Sequence, residues 1–328
     1  MALSLPSNPD LERFRRDARR LQRAVRDGDE QALALATRHH PQGVREPATF
    51  SLNAAQHTVA RGHGFASWPK LRHYLEIAAP LRRDPTTPLP EDGDPLDAFL
   101  VLACLVYGPD DGPHRWQRAA ALLATHPDLP IRSVYAGAAA GDPVAVATHL
   151  ARDPALARSE GGPHRWTALT YLAYSRVPQT DSLTTARLLV GAGADVDAGY
   201  LWGGLPPPFT VLTGCFGEGE QGPGRQPRHP EGEALARLLL DHGAVVNDGQ
   251  TLYNRMFNAD DSHLALLFAY GLGTGDLGVW GDRLGDNAES VEEMMGRQGD
   301  WAARHAMTAR LDLLAQHGCG PSAGRSRP

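Results

Sequence analysis

Leu188-Leu189-Val190-Gly191-Ala192-Gly193-Ala194-Asp195-Val196-Asp197 and Leu238-Leu239-Leu240-Asp241-His242-Gly243-Ala244-Val245-Val246-Asn247 are two renderings of one phrase. Its core returns in Leu266-Leu267-Phe268-Ala269-Tyr270-Gly271 and in Leu313-Leu314-Ala315-Gln316-His317-Gly318. A short apolar helix that stops repeatedly at a glycine, with an extended segment after it, is a stacking unit. The glycine takes the left-handed conformation that closes a helix, and the leucines supply a face for the next unit to cover.

Ahead of these helices stand Thr167-Ala168-Leu169-Thr170-Tyr171-Leu172-Ala173 and Thr210-Val211-Leu212-Thr213-Gly214-Cys215-Phe216, each opening on Thr with Leu two residues later. Thr251-Leu252-Tyr253-Asn254-Arg255-Met256-Phe257 also opens on Thr but places Leu next. Together with the Leu-Leu-x-x-Gly-Ala endings, this resembles the ankyrin repeat, whose opening is Thr-Pro-Leu-His. Ala168 and Val211 occupy the Pro position here, and Thr170 and Thr213 the His position. The glycine spacings of 50, 28 and 47 residues depart from the ankyrin period of about 33, so the excess reads as insertions. The earlier stretches Gly141–Leu150 and Ala119–Pro127 carry the second-helix pattern, and the segments they belong to stop at Asp-Pro and His-Pro, where proline ends a helix by another route. The resemblance covers residues 94 to 318. It implies an all-α ankyrin-type α-solenoid of helix-turn-helix repeats with short finger turns.

Near the start, Ala54 to Leu71, including His63-Gly64-Phe65-Ala66-Ser67-Trp68-Pro69-Lys70-Leu71, is similar to a helical module found ahead of ankyrin arrays in bacterial, particularly actinobacterial, proteins. It reads as a helix, a glycine stop, Phe65 and Trp68 packed over the turn, and a second helix from Pro69. The expected organisation is an N-terminal helical module at 1–80, a Pro-rich linker at 81–95 with Pro85, Pro88 and Pro90, the repeat array at 96–318, and a tail at 319–328.

The composition narrows the function. At 328 residues and 42% hydrophobic content, the chain has apolar surface enough for a stacked array. A formal net charge of −6 argues against a general nucleic-acid or membrane-surface binder, so basic contacts must be local. Cys104, Cys215 and Cys319 are widely separated, which suits reduced thiols in the cytoplasm. The first ten residues lack a signal-peptide pattern, and the apolar run Ala98–Tyr107 is too short to span a bilayer. Lys70 is the single lysine among 32 basic residues, an arginine bias that accompanies GC-rich coding.

Residues 10–27 read as a helix with Leu11, Phe14, Ala18, Leu21 and Val25 on one stripe and seven arginines around it, broken by Gly28 before a second helix through about Arg38. Gly-Pro-His-Arg-Trp occurs twice, at Gly112–Trp116 and Gly162–Trp166. The second copy falls at a finger turn and the first precedes a helix, so turn chemistry with a packing tryptophan is favoured over a shared recognition tip. Ser175–Asp181 and Gly217–Pro230 read as outward insertions between paired helices. Gly273–Asn287 reads as a glycine-rich loop on the finger side whose one aromatic, Trp280, is a contact point or a lid over the stack.

No catalytic signature emerges. The histidines His39, His40, His57, His63 and His73 lack zinc-ligand spacing, and no Walker sequence is present. Gly217-Glu218-Gly219-Glu220-Gln221-Gly222 matches a dinucleotide motif in letters, but its glutamates would repel phosphate. Asp260-Asp261 and Glu292-Glu293 read as solvated helix starts. The resulting expectation is a non-catalytic, cytoplasmic protein–protein interaction scaffold with an unidentified protein partner, no cofactor, no metal, no small-molecule substrate and no membrane. Candidate partner-binding residues are the finger positions Arg165, Trp166, Tyr200, Leu201 and Trp202, which combine arginine with large apolar rings. An exposed Trp202, or a Trp166–Trp202 stack between fingers, are the two forms this can take. The alternative is a nucleic-acid-associated regulatory protein acting through the arginine-rich helix 10–27. An enzyme is third and would require a deep polar pocket.

Overall fold

The computed structural model describes residues 5, 6, 8–86 and 93–319. The chain is mostly helical, with a few strands of two to four residues, and its contacts divide into two units. The first runs to Arg82 and includes Gly203–Leu205; the second runs from Arg83 to Trp202 and from Pro206 onward.

The first unit holds α1 (Leu11–Arg26), α2 (Glu30–His39), α3 (Leu52–Gly62) and α4 (Trp68–Leu81). The Asp10 carboxylate accepts the Glu12 and Arg13 amides at 2.8 and 3.0 Å and so starts α1. Phe14, Ala18, Leu21 and Val25 are buried, as their spacing predicts, against the neighbouring α2 and α3. Ser67 caps α4 through the Lys70 amide, which places Trp68 inside the helix, one residue earlier than the sequence suggests. Phe65 packs on Tyr74 at 5.4 Å, whereas Trp68 stays half-exposed. The Tyr74 hydroxyl donates to the Gly204 carbonyl at 2.7 Å, which seats Gly203–Leu205 in this unit.

The anticipated linker is fastened where it begins. α4 continues through Pro80 to Leu81, and the buried Arg83 guanidinium pairs with Glu160 and donates to the Arg165 carbonyl at 3.1 Å. Pro88 and Pro90, like tail residues 320–328, lie outside the described residues.

The second unit begins with α5 (Pro95–Ala103), α6 (Pro113–Thr125), α7 (Leu129–Arg132), α8 (Val134–Ala139) and α9 (Pro143–Arg152). It continues with α10 (Ala168–Tyr174), α11 (Ser182–Gly191), α12 (Val211–Phe216), α13 (Gly232–Asp241), α14 (Gly249–Arg255), α15 (Ser262–Ala269), α16 (Gly278–Leu284), α17 (Val291–Arg304) and α18 (Thr308–Gln316). Helices α8, α10, α12, α14 and α17 touch in series, and α9, α11 and α13 form a second series. The partners α8–α9, α10–α11, α12–α13 and α17–α18 also touch. Short antiparallel hairpins precede α10 and α12, pairing Gly161 with Trp166 and Tyr200 with Phe209.

The repeated phrase has one structural meaning. Gly193, Gly243, Gly271 and Gly318 all take positive φ, between 73° and 92°. Each glycine amide bonds the carbonyl three residues back, at Val190, Leu240, Phe268 and Ala315. The next amide bonds the carbonyl five residues back, at Leu189, Leu239, Leu267 and Leu314. That bond pair satisfies carbonyls a helix end would otherwise leave open. It also fixes which leucine faces inward, and Leu189, Leu239, Leu267 and Leu314 are at most 1% exposed. Gly28, Gly64 and Gly141 close α1, α3 and α8 with the same two bonds.

The Thr openings divide. Thr167 and Thr210 cap α10 and α12, the latter reciprocally with Thr213. Thr251 instead lies within α14, whose cap is Asp248, so it stands where Thr170 and Thr213 stand in α10 and α12.

Candidate protein-binding surface

The structure places most of the finger residues in the core rather than on a face. Trp166, Tyr200 and Leu201 are 2%, 1% and 0% exposed. Trp166 stacks on Tyr200 at 5.1 Å and 23°, and Tyr200 on Phe209 at 5.6 Å and 18°. The stacking partner of Trp166 is therefore Tyr200, not Trp202. Trp202 is half-buried, and its Nε1 donates to the Val106 carbonyl at 3.0 Å, so it is not the exposed tryptophan anticipated from its position. Arg165 is exposed, at φ 53° in the hairpin turn. Of the five, the fold leaves Arg165 and part of Trp202 open to a partner; hairpin pairing turns the other rings onto α10 and its neighbours.

The two Gly-Pro-His-Arg-Trp copies adopt different structures. At 112–116 the segment starts α6 with Pro113 in its first turn, and the buried Arg115 pairs with Asp111 at 2.6 Å. At 162–166 it forms the hairpin turn, with His164 buried 4.4 Å from Trp166. Burial lowers the His164 pKa to about 3.

The insertion Gly217–Pro230 is held down by arginines, not extended outward. Arg176, buried, donates to the carbonyls of Ala173, Ser175, Gly214 and Pro227 at 2.7 to 2.9 Å. Glu218 is buried between Arg228, 2.7 Å away, and Arg255. Asp260 joins the same pair of arginines, and Asp261 accepts from the buried Arg310 at 2.6 Å. These aspartates belong to an ion-pair network, which corrects their reading as solvated helix-start charges. Glu293 does cap a helix, reciprocally with Ser290 at the start of α17.

Trp280 is likewise internal. It sits in α16, 5% exposed, and its Nε1 donates to the Asp197 carbonyl at 2.9 Å. With Pro206–Pro208, Val245, Asn247, Asp248, Leu284 and Met294 it lines a pocket of about 40 Å³. Asp197 and Asn247 occupy the same register, four residues after Gly193 and Gly243, and both fasten the next connecting segment. The Asp197 carboxylate accepts the Val245 amide at 2.8 Å, while the Asn247 side chain bonds the Gly273 amide and the Thr274 and Asp276 carbonyls. Burial raises the Asp197 pKa to about 6. This recurrence was visible in the phrase as Val-Asp and Val-Asn.

A different set of side chains offers a surface. Tyr253 and Phe257 sit one helical turn apart on α14 and its C-terminal end, and Trp301 and His305 one turn apart on α17 and its C-cap. Their rings form a continuous strip: Tyr253 to Phe257 at 5.2 Å, Phe257 to Trp301 at 5.0 Å, and Trp301 stacked on His305 at 3.9 Å. Arg297 lies over the Tyr253 ring at 5.3 Å and Arg304 over Trp301 at 5.7 Å. Tyr253, Phe257 and Trp301 are half-buried, and His305 and Arg304 are exposed. Burial and the neighbouring Glu220 carboxylate, which accepts its hydroxyl, raise Tyr253 to about 12. The paired aromatics at four-residue spacing were legible in the sequence; that they meet across two helices was not. No family model, curated protein or solved structure matches the chain.

Proposed function

We propose that the chain is a non-catalytic, cytoplasmic protein-interaction scaffold of the ankyrin type, and that its protein partner docks on the Tyr253–Phe257–Trp301–His305 strip. The observation that carries this reading is the strip itself. Tyrosine, tryptophan and arginine are enriched among the residues that dominate interface energetics, and the tyrosine and tryptophan rings present large contact area at low entropic cost. Here half-buried rings are pre-ordered by edge and face contacts and by two overlying guanidinium groups. Further support comes from the repeated Schellman-type helix ends and the serial contacts of α8, α10, α12, α14 and α17, which give adjoining helices a rigid common frame.

A photo-crosslinking amino acid placed at Phe257 is expected to trap a protein partner in cell extract, whereas one at Val144, 74% exposed on α9, is not. Trp301→Ala is expected to cut the Phe257 yield at least tenfold while the variant stays folded by circular dichroism. Equal yields from Phe257 and Val144, or an unchanged yield in Trp301→Ala, would refute the assignment.

A further inference from the structure

The formal charge of the chain conceals a division between its units. Residues 1–82 hold thirteen basic and eight acidic residues, a net of +5, whereas residues 83–328 hold nineteen and thirty, a net of −11. The composition-level argument against nucleic acid therefore applies to the second unit and not to the first.

Within the first unit the positive charge is concentrated on α1. Arg13, Arg16, Arg19, Arg20 and Arg23 are exposed, and at 100° per residue they share the arc opposite the buried Phe14–Ala18–Leu21–Val25 stripe. They extend along about 15 Å of helix. Of the acids on or flanking the helix, Asp10 caps it, Glu12 pairs with Arg15 and Asp17 with Arg20 at 3.0 Å, while Asp27 stands exposed at the C-cap. Arg26 donates to the Phe50 carbonyl at 2.9 Å. Among the described residues, Arg13, Arg16, Arg19 and Arg23 have neither an ion pair nor a side-chain hydrogen bond.

We infer that this face of α1 binds the phosphate backbone of duplex nucleic acid, without reading its sequence. Two features select that occupant. The exposed arc contains no aliphatic or aromatic side chain, whereas a protein interface needs an apolar core from which charge is depleted. A phosphodiester backbone is instead bound by charge alone, through release of condensed counterions, and guanidinium groups fit phosphate oxygens bidentately. The inference concerns the first unit and is independent of the scaffold reading of the second.

The test is fluorescence anisotropy of the full chain with a fluorescein-labelled DNA duplex of arbitrary sequence between 50 and 200 mM NaCl. Four phosphate contacts give a log–log salt slope of about −3.6, a loss of about a hundredfold in affinity across that range. Replacing Arg13, Arg16, Arg19 and Arg23 together by Gln is expected to abolish binding at 50 mM, and replacing them by Lys to preserve it. Arg13→Gln or Arg23→Gln alone should each flatten the slope by about 0.9. A charge-matched control, Gln at the exposed Arg118, Arg152, Arg187 and Arg237 of the second unit, should bind like the parent. The inference is overturned if the parent does not bind at 50 mM, or if its affinity is insensitive to salt. Parent-like binding by the α1 Gln variant, or an equal loss in the control, overturns it as well.

Discussion

Arg176→Met is the most direct test of what holds the long insertion in place. Arg176 is buried and meets four backbone carbonyls, with no carboxylate among its hydrogen-bond partners in the described residues. Its acceptors come from the end of α10, from α12 and from Pro227 in the insertion, so one side chain joins three separate segments. Each charge-assisted bond contributes about 1.5–3 kcal/mol, a gross gain of roughly 6–12 kcal/mol. The desolvation of a buried cation opposes this by several kcal/mol. Methionine fills the volume of the stem but leaves the carbonyls unpaired, so a net loss of about 3–5 kcal/mol is expected. Urea unfolding measures that loss. Trypsin cleavage after Arg225, exposed in the same insertion, should accelerate in parallel as the loop lifts. Arg176→Lys reaches fewer acceptors and should fall between the two. Arg118→Met, at an exposed arginine on α6, should cost less than about 0.5 kcal/mol. A cost for Arg176→Met no greater than that of Arg118→Met, with unchanged cleavage, would refute the clamp.

The helix-stop argument predicts that Gly243→Ala, at φ 88° with open space around the added methyl, costs about 1–2 kcal/mol by denaturation. Gly217→Ala, also at positive φ, drives its methyl into the Pro227 carbonyl and should cost more. Asp197 is raised to about 6 by burial, so the stability its protonated form contributes is full below about pH 4 and is lost as pH rises through 6. Asp197→Asn, the amide already present at the matching position Asn247, should remove that decline and raise the urea midpoint at pH 7. His263 has the opposite sign: burial holds its pKa well below 6.5, so stability is full above pH 6.5 and falls on acidification. Because neither ring nitrogen of His263 has a hydrogen-bond partner among the described residues, His263→Leu should be neutral or stabilising at pH 7 and should reduce the acid loss, as read from melting temperatures at pH 5 and 7.

Several features were decided locally and could be read from sequence. A glycine after an apolar helix stops it wherever it stands, because only the residues from C3 to C″ take part in the closing bonds. That held at Gly193, Gly243, Gly271 and Gly318, and it also named the buried leucines. The apolar stripe of α1 was equally local, since four residues at helical spacing define one face regardless of what covers it. The paired rings on α14 and α17 were present as four-residue spacings, although their meeting was not.

Tertiary structure decided everything that depends on apposition. Gly-Pro-His-Arg-Trp starts a helix at 112–116 and turns a hairpin at 162–166, with one arginine buried and the other exposed. No property of five identical residues distinguishes the two, so the context does. Trp166, Tyr200 and Trp280 looked like contact residues because loops adjoin them, yet hairpin pairing and α16 carry them inward. The Gly217–Pro230 insertion looked solvated because it is rich in glycine, proline and charge. It is bound by Arg176, Arg228 and Arg255, of which only Arg228 belongs to the insertion itself. Helix ends are fixed by bonds within one turn; the burial of a polar residue is fixed by whichever distant group neutralises it.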